Sequence, residues 1–467
     1  MFTKALVGYS RPADVLRSFR IAIALATLFS FAATPAVAAK PGREQVKRAH
    51  TKKTKKSSAR VGKKAPSAPV TKTTAAPVLQ APPSGLRFSH NTLVDFSFTS
   101  GEPFINAAPV TVAPNTPAGS PFISVPFGFS TTVSLLWKSI DGGRSFIQLG
   151  TPIVRDAVPG PGGGDTHQDF DHQGRLYYVD LSAACVTAAV SDDGGNTFPR
   201  INPVACLGPG DPTGAVDDRQ WTGGFGDGRG YMTVRNLATT SFHLNRTRDA
   251  GATWLSAQPM GTVSQSGPLV MDKTKRNIGG TDYILGYQMY YTGPEGNETL
   301  RMFRMQDPDT GGNPTIVNLT VLSPGSSVAT VFPVPAIDSA GHLYVTYSNG
   351  NAIFMTTSTD RGATWSAAKR ISPTTGDAGT GTIVMPWAIA GDPGRAAVVW
   401  YRGSLAGNSI SVNNRWDIYF AQTLNALDPL PTWTITKLSE HTIHFGEICL
   451  DRTFCDAAVP PGSRDRS

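Results

Sequence analysis

Ser191-Asp-Asp193-Gly-Gly195-Asn-Thr197-Phe198 is one of four copies of a single eight-residue phrase, S/T-x-D-x-G-x-S/T-F/W. The others are Ser139-Ile-Asp141-Gly-Gly143-Arg-Ser145-Phe146, Thr247-Arg-Asp249-Ala-Gly251-Ala-Thr253-Trp254 and Ser358-Thr-Asp360-Arg-Gly362-Ala-Thr364-Trp365. Their aspartates are 52, 56 and 111 residues apart, so the last gap holds two units, one of which has lost its signature. Regular self-similarity on this scale is the mark of a repeat architecture. The phrase also has a local reading. An Asp carboxylate accepts backbone N–H groups a few residues on, Gly takes a positive φ, and the hydroxyls complete the turn. The terminal Phe or Trp returns the chain to a core, which makes the phrase a hairpin turn with an aromatic anchor.

A second repeat precedes the phrases. Asp171-His-Gln-Gly174-Arg-Leu-Tyr-Tyr-Val179, Asp338-Ser-Ala-Gly341-His-Leu-Tyr-Val-Thr-Tyr347 and Gly391-Asp-Pro-Gly394-Arg-Ala-Ala-Val-Val-Trp400 each join a turn to an alternating strand, with Gly228-Arg-Gly-Tyr-Met-Thr-Val234 a looser relative. Together the two repeats give about four short strands per ~55 residues, the content of one propeller blade. The sequence predicts an all-β, six-bladed β-propeller of four-stranded antiparallel blades near 86–150, 151–207, 208–261, 262–325, 326–374 and 375–440. The fourth blade keeps Asp307-Pro-Asp309-Thr-Gly311-Gly312 as a worn remnant of the phrase, and the sixth keeps the aromatic end, Pro431-Thr432-Trp433.

Outside the propeller, basic residues up to Arg20, the apolar run Ile21 to Phe31 and small residues around Ala38 read as a secretory signal over 1–38. Residues 39–85 are Lys-, Ala- and Pro-rich and read as a disordered linker. The propeller is assigned to 86–450. Residues 451–467 are irregular and are read as an end cut short, the other reading being closure through residues 86–100 alone. The net charge of +8 sits in the leader and linker: residues 40–72 hold twelve basic residues against one acidic, and the chain beyond them is acidic. That distribution argues against nucleic acid as a partner and leaves the linker either to adhere to an anionic envelope polymer or to act as a solvated spacer. No other segment approaches ~20 continuous apolar residues, so no transmembrane span is expected in the mature chain, which is read as a secreted or extracytoplasmic monomer. Four cysteines in an exported chain suggest two disulfides. Of the three pairings, Cys185 with Cys206 and Cys449 with Cys455 are favoured, because the first two flank the second phrase symmetrically and the last two close a short loop.

The phrase resembles the Asp-box, or BNR repeat, of the sialidase (neuraminidase) superfamily, over residues 86 to about 450. The resemblance implies the same six-bladed propeller, with Asp141, Asp193, Asp249 and Asp360 structural, on turns away from the substrate pocket. It also implies exo-α-sialidase-type hydrolysis of terminal sugars, using three arginines on the substrate carboxylate, a Tyr nucleophile polarised by a Glu, and an Asp acid/base. A guanidinium fork grips a carboxylate in two places, and a neutral Tyr avoids repelling an anionic sugar. The family's first arginine lies in an F/Y-R-I-P-like stretch. Between residues 86 and 140 this chain has only Arg87, followed by Phe-Ser.

The residues left to build a central site are Asp165 or Asp218 as acid/base, Tyr401 with Glu447 as a nucleophile pair, and Arg219, Arg235 and Arg402 for anion binding. His167 falls in register with Val334 and Trp387 when the turn glycines are superposed, which puts it on a pore-facing or pore-adjacent loop as a further substrate-binding residue. No metal or cofactor is expected, and a carbohydrate or glycoconjugate is the expected substrate. Each role has a plainer counterpart: Asp218 and Arg219 as a local ion pair ordering a loop, Tyr401 as interblade packing, Glu447 facing solvent. The functional alternative is a non-catalytic propeller that binds glycan, envelope polymer or protein.

Overall fold

The computed structural model describes residues 79–80, 88–95, 103–126, 134–150, 162–182, 185–206, 217–236, 239–263, 265–293, 297–326, 328, 333–407, 409, 411 and 413–448. They form six sheets laid out in chain order, antiparallel but for one short strand added to the last, a six-bladed propeller without an α-helix among the described residues. The inner strands are Phe104–Ala107, Gly162–Phe170, Asp217–Gly226, Gln265–Met271, Val334–Ile337 and Thr382–Ala390, one for each of blades I to VI. Buried side chains of consecutive blades share clusters. Val179, Val186 and Ala188 of blade II meet Met232 and Val234 of blade III, and Tyr344 and Ile353 of blade V meet Trp400 and Trp433 of blade VI. The leader, most of the linker, Cys449 and residues 451–467 lie outside the described residues.

The phrases build the hairpin turns at the carboxyl ends of the third strands. In blade II, Thr197 donates its N–H to Asp193 Oδ1 at 2.9 Å and its hydroxyl to Asp193 Oδ2 at 2.7 Å, while Ser191 Oγ accepts the Gly195 N–H at 2.9 Å. The same contacts recur at Asp141, Asp249 and Asp360. The glycine has two reasons to be there. Gly251 has φ +83°, and a Cβ on it would lie 2.5 Å from Val190 of the preceding blade. Phe198, Trp254 and Trp365 pack into that same interface with the preceding blade.

Blade VI holds a phrase that the sequence hides. Thr423 Oγ1 donates to Asn425 Oδ1 at 3.0 Å, Thr432 donates its N–H to the same oxygen at 3.0 Å, and Trp433 is buried against blade V. Asn replaces Asp, and an insertion separates the two halves. In blade IV, Asp307 ends the third strand and accepts the Asp309 N–H at 2.7 Å, but Asp309 itself turns outward to Arg229, Arg248 and Lys275. The remnant there has become an ion-pair node between blades III and IV.

Closure uses the segment before blade I. Leu79–Gln80, at the end of the sequence-assigned linker, run parallel to Trp433–Thr434 on the outer edge of blade VI. Asn91 donates its N–H to Glu440 Oε2 at 3.0 Å and its side-chain amide to Leu438 O at 3.3 Å, and Phe88 packs edge-on against Phe420. Trp137 Nε1 of blade I then donates to Asp95 at 3.2 Å. Cys185 stands directly opposite Cys206 on neighbouring strands.

Candidate functional site

Four of the six inner strands share an irregularity that positions side chains. Pairing with the second strand breaks between Gly162 and Thr166, Asp218 and Trp221, Ser266 and Leu269, and Val384 and Trp387. A bulge re-aims the residues within it. Here it releases Arg219-Gln220 and Met385-Pro386 from the ladder before Trp221 and Trp387 return to the channel. Arg219 and Met385 both sit at positive φ, +53° and +51°, a conformation that bulky residues hold only when their surroundings impose it.

At blade III this bulge gathers charge. Arg219 Nη1 lies 3.6 Å from Asp165 Oδ2 of blade II, and its Nε lies 3.8 Å from Asp218 Oδ2. Gln220 donates its side-chain amide to the Asp165 carbonyl. Arg235 is the direct cross-strand partner of Asp218, is 5% exposed, and donates from Nη1 to Gln265 Oε1 of blade IV at 3.0 Å. Burial pushes the Asp218 carboxyl up from its ordinary range; Arg219 and Arg235 oppose the shift, and the Asp165 charge adds to it. Burial also lowers the Arg235 guanidinium, with Asp218 acting against that. Asp165, Asp218, Arg219 and Arg235 therefore form one cluster at the amino ends of the inner strands, opposite the phrase turns. Chemically, it offers one carboxyl biased to keep its proton, one carboxylate on an arginine, and a second arginine behind.

The other named residues stand in blade VI. Arg402 donates from Nε to Thr380 O at 2.8 Å and lies 3.8 Å from Asp377. Tyr401 packs against Val384, Trp416 and Ile448. Glu447, next to Ile448, is 4% exposed, not solvent-facing, and its Oε1 has no hydrogen-bond partner among the described residues.

His167 occupies the channel itself. Its ring centroid is 4.0 Å from that of Phe104 and 5.0 Å from that of Trp221, and Trp387 closes the ring of aromatics 5.4 Å from Phe104. The Thr222 N–H donates to His167 Nδ1 at 3.2 Å. Burial, assisted by Lys273, brings the imidazole down to about 3, so it is neutral. Lys273, which sequence reasoning passed over, donates to Asp169 at 2.6 Å and to the carbonyls of Phe170 and Gly224, both at 2.7 Å. A signal for it existed: Asp272 accepts the Thr274 N–H as Asp171 accepts that of Gln173, so Asp272-Lys-Thr is the blade IV form of the turn-strand repeat. Among the described residues no group of three His, Cys, Asp or Glu side chains is placed to hold a metal ion.

No protein-family model matches the chain, and no curated protein matches it. Among solved structures, the chain is similar to an α-L-arabinanase of Penicillium chrysogenum complexed with arabinobiose, at 13% identity over 79% of this chain and 98% of that one, TM-score 0.40. It is also similar to a GH93 α-L-arabinofuranosidase of Fusarium graminearum with arabinobiose, at 12% identity over 74% and 96%, TM-score 0.43. A third is a polysaccharide lyase, an ulvan lyase, at 10% identity over 75% and 87%, TM-score 0.44.

Proposed function

We propose that this chain is an exported, sialidase-like glycoside hydrolase that acts on terminal acidic sugars of glycans at the amino-end face of the inner strands. The observation that carries the reading is the placing of Asp218 beside Arg219 and opposite Arg235, with Asp165 on the same arginine; burial, helped by the Asp165 charge, raises the Asp218 carboxyl against the pull of the two arginines. A carboxyl whose surroundings favour its protonated form is the usual basis of a general-acid assignment in glycoside hydrolysis. Asp218 is then the general acid, protonating the glycosidic oxygen as the bond breaks. Left as a carboxylate, Asp218 then takes a proton from the water that releases the sugar from the enzyme, with Asp165 held on Arg219 beside it. Arg235 and Arg219 receive the sugar carboxylate. Tyr401 and Glu447 supply the nucleophile pair, and Arg402 the third arm of the clamp. The four phrase aspartates scaffold the opposite face, as the Asp-box resemblance implies, and the basic stretch tethers the exported protein to anionic envelope polymer.

A second reading rests on Arg402. Its guanidinium is committed to Thr380 and Asp377 within blade VI, which leaves a two-arginine cluster suited to holding an acidic glycan without cleaving it. A fluorogenic sialoside and free N-acetylneuraminic acid separate the two. Turnover, cut by Asp218→Asn, supports the hydrolase. Saturable binding weakened by Arg235→Ala, with no turnover, supports the binder. Neither turnover nor binding removes both readings.

A further inference from the structure

On the phrase side of the aromatic ring the channel opens into a cavity of about 200 Å³, whose wall runs from Phe104, His167 and Trp387 down to Met271 and Ile337. This is the opposite end of the channel from the Asp218 cluster. Its rim is polar but self-contained. The three ammonium protons of Lys273 are taken by Asp169, Phe170 O and Gly224 O. Asp169 also accepts the Gly224 N–H at 2.9 Å and the Asn106 side-chain amide at 3.0 Å. These bonds stitch blades I to IV together and leave no spare charge facing inward. Ile105 and Ile389 line the same opening and are 57% and 64% exposed, an apolar mouth with nothing covering it among the described residues.

One polar group in this cavity has no use in the fold. His167 is 3% exposed, and because Nδ1 accepts from Thr222, the ring proton of the neutral imidazole is on Nε2. Among the described residues Nε2 donates to nothing, and it is not one of the fully buried unpartnered polar atoms, so it stands open to the cavity. The donor therefore lines an apolar pocket with its hydrogen bond unmade.

We propose that the phrase-side cavity is a binding site for a small, neutral, flat and mainly apolar molecule carrying one hydrogen-bond acceptor, which the His167 Nε2–H receives. The size fits, since an apolar cavity of about 150 Å³ already accepts benzene. The absence of uncompensated charge selects against ions, because a charged ligand buried here loses its hydration without gaining a counter-charge. Phe104 and Trp387 give the ring edges and faces that aromatic pairs favour. This site is independent of the proposed hydrolase and stands or falls separately from it.

Two isosteric probes test it. 4′-Fluoroacetophenone carries a carbonyl where 4-fluoro-α-methylstyrene carries a methylene, and the fluorine signal of each broadens on binding. With the wild-type chain, 4′-fluoroacetophenone is expected to bind saturably and about three- to tenfold more tightly than the alkene, the worth of one neutral hydrogen bond. His167→Phe keeps a ring in the collar and is expected to bring the ratio to about one. Ala390→Phe, at the half-buried mouth, is expected to remove binding of both probes. No saturable broadening of 4′-fluoroacetophenone up to its solubility limit overturns the proposal. So do equal affinities of the two probes for the wild-type chain, a comparison that needs no variant to fold. Binding untouched by Ala390→Phe in a protein that still melts cooperatively places the probe elsewhere and also overturns it.

Discussion

Asp218 carries opposed demands on one carboxyl. Burial raises its pKa, two arginines lower it, and the Asp165 charge raises it again, with the balance upward. A raised carboxyl contributes stability below its unfolded pKa of about 4 and loses it as the pH climbs through the folded value. Asp218→Asn removes that loss. Its melting temperature is expected to exceed that of wild type at pH 7 and to converge with it in acid, while activity drops by about 10²–10⁴-fold, the typical worth of a general acid. Calorimetry across pH checks the first half. The phrase aspartates behave in the opposite way. At Asp193 burial raises the carboxyl, but the hydrogen bonds from Thr197 and Ser191 outweigh it and the pKa falls. Stability from such a group is present above pH ~4 and lost as pH falls through the folded value. Asp193→Asn should therefore flatten the acid limb of the stability curve and cost about 1 kcal/mol at neutral pH, a figure reduced for solvent exposure. Denaturant melts from pH 2 to 7 measure both, and an acid limb as steep as wild type contradicts the assignment.

Among the elements, the hairpin of blade VI shows what a repeat tolerates. Thr423, Asn425, Thr432 and Trp433 reproduce the phrase around an insertion, and Asn425 Nδ2 donates to Asp428 Oδ2 at 2.9 Å. Asn is needed where a phrase Asp would face a second carboxylate. Asn425→Asp is thus expected to destabilise by about 1 kcal/mol, despite restoring the consensus, and Asp428→Asn in the same chain should recover most of it. Chemical denaturation of the single and double variants checks this. Equal stability of Asn425→Asp and wild type would contradict it. The four intact phrases were legible because turn chemistry is local: hydroxyl, carboxylate, Gly and aromatic lie within eight residues. The sixth was not, because its two halves meet through a hydrogen bond across an insertion that no fixed spacing records. The bulge at Arg219 was equally invisible, since register is set by pairing with the next strand. Asp165, Asp218 and Arg219 near strand starts and Arg235 near a strand end were nameable as charged residues, but their convergence depends on that bulge. Lys273 and Phe104 were missed because their roles come from three or four blades meeting at the axis.

For the whole molecule, the blade count followed from the spacing of the repeats, whereas closure did not. The segment that bridges blade VI to blade I has no repeat signature. Its contacts are the parallel pair at Leu79–Gln80, Asn91 on Glu440 and Leu438, and Asp95 on Trp137. Removing residues 73–95 from a chain that begins at residue 73 uncovers the edge of the Trp433–Lys437 strand, and exposed edges recruit other chains. The shortened chain is expected to melt at lower temperature and to aggregate, as calorimetry and light scattering would show; an unchanged, monomeric melt would mean that the six sheets close without the strap. The charge layout of the molecule separates its two faces. The amino ends of the inner strands gather carboxyls and arginines in partial burial, while the phrase face spends its aspartates on turns and interblade pairs. The central claim is that the first face is catalytic and that Asp218 donates the proton. It is tested most directly by the pH dependence of kcat/KM for a fluorogenic sialoside. The account predicts turnover with an alkaline limb displaced above the ordinary carboxylate range and lost in Asp218→Asn. No turnover, or an Asp218→Asn profile that superimposes on wild type, would contradict it.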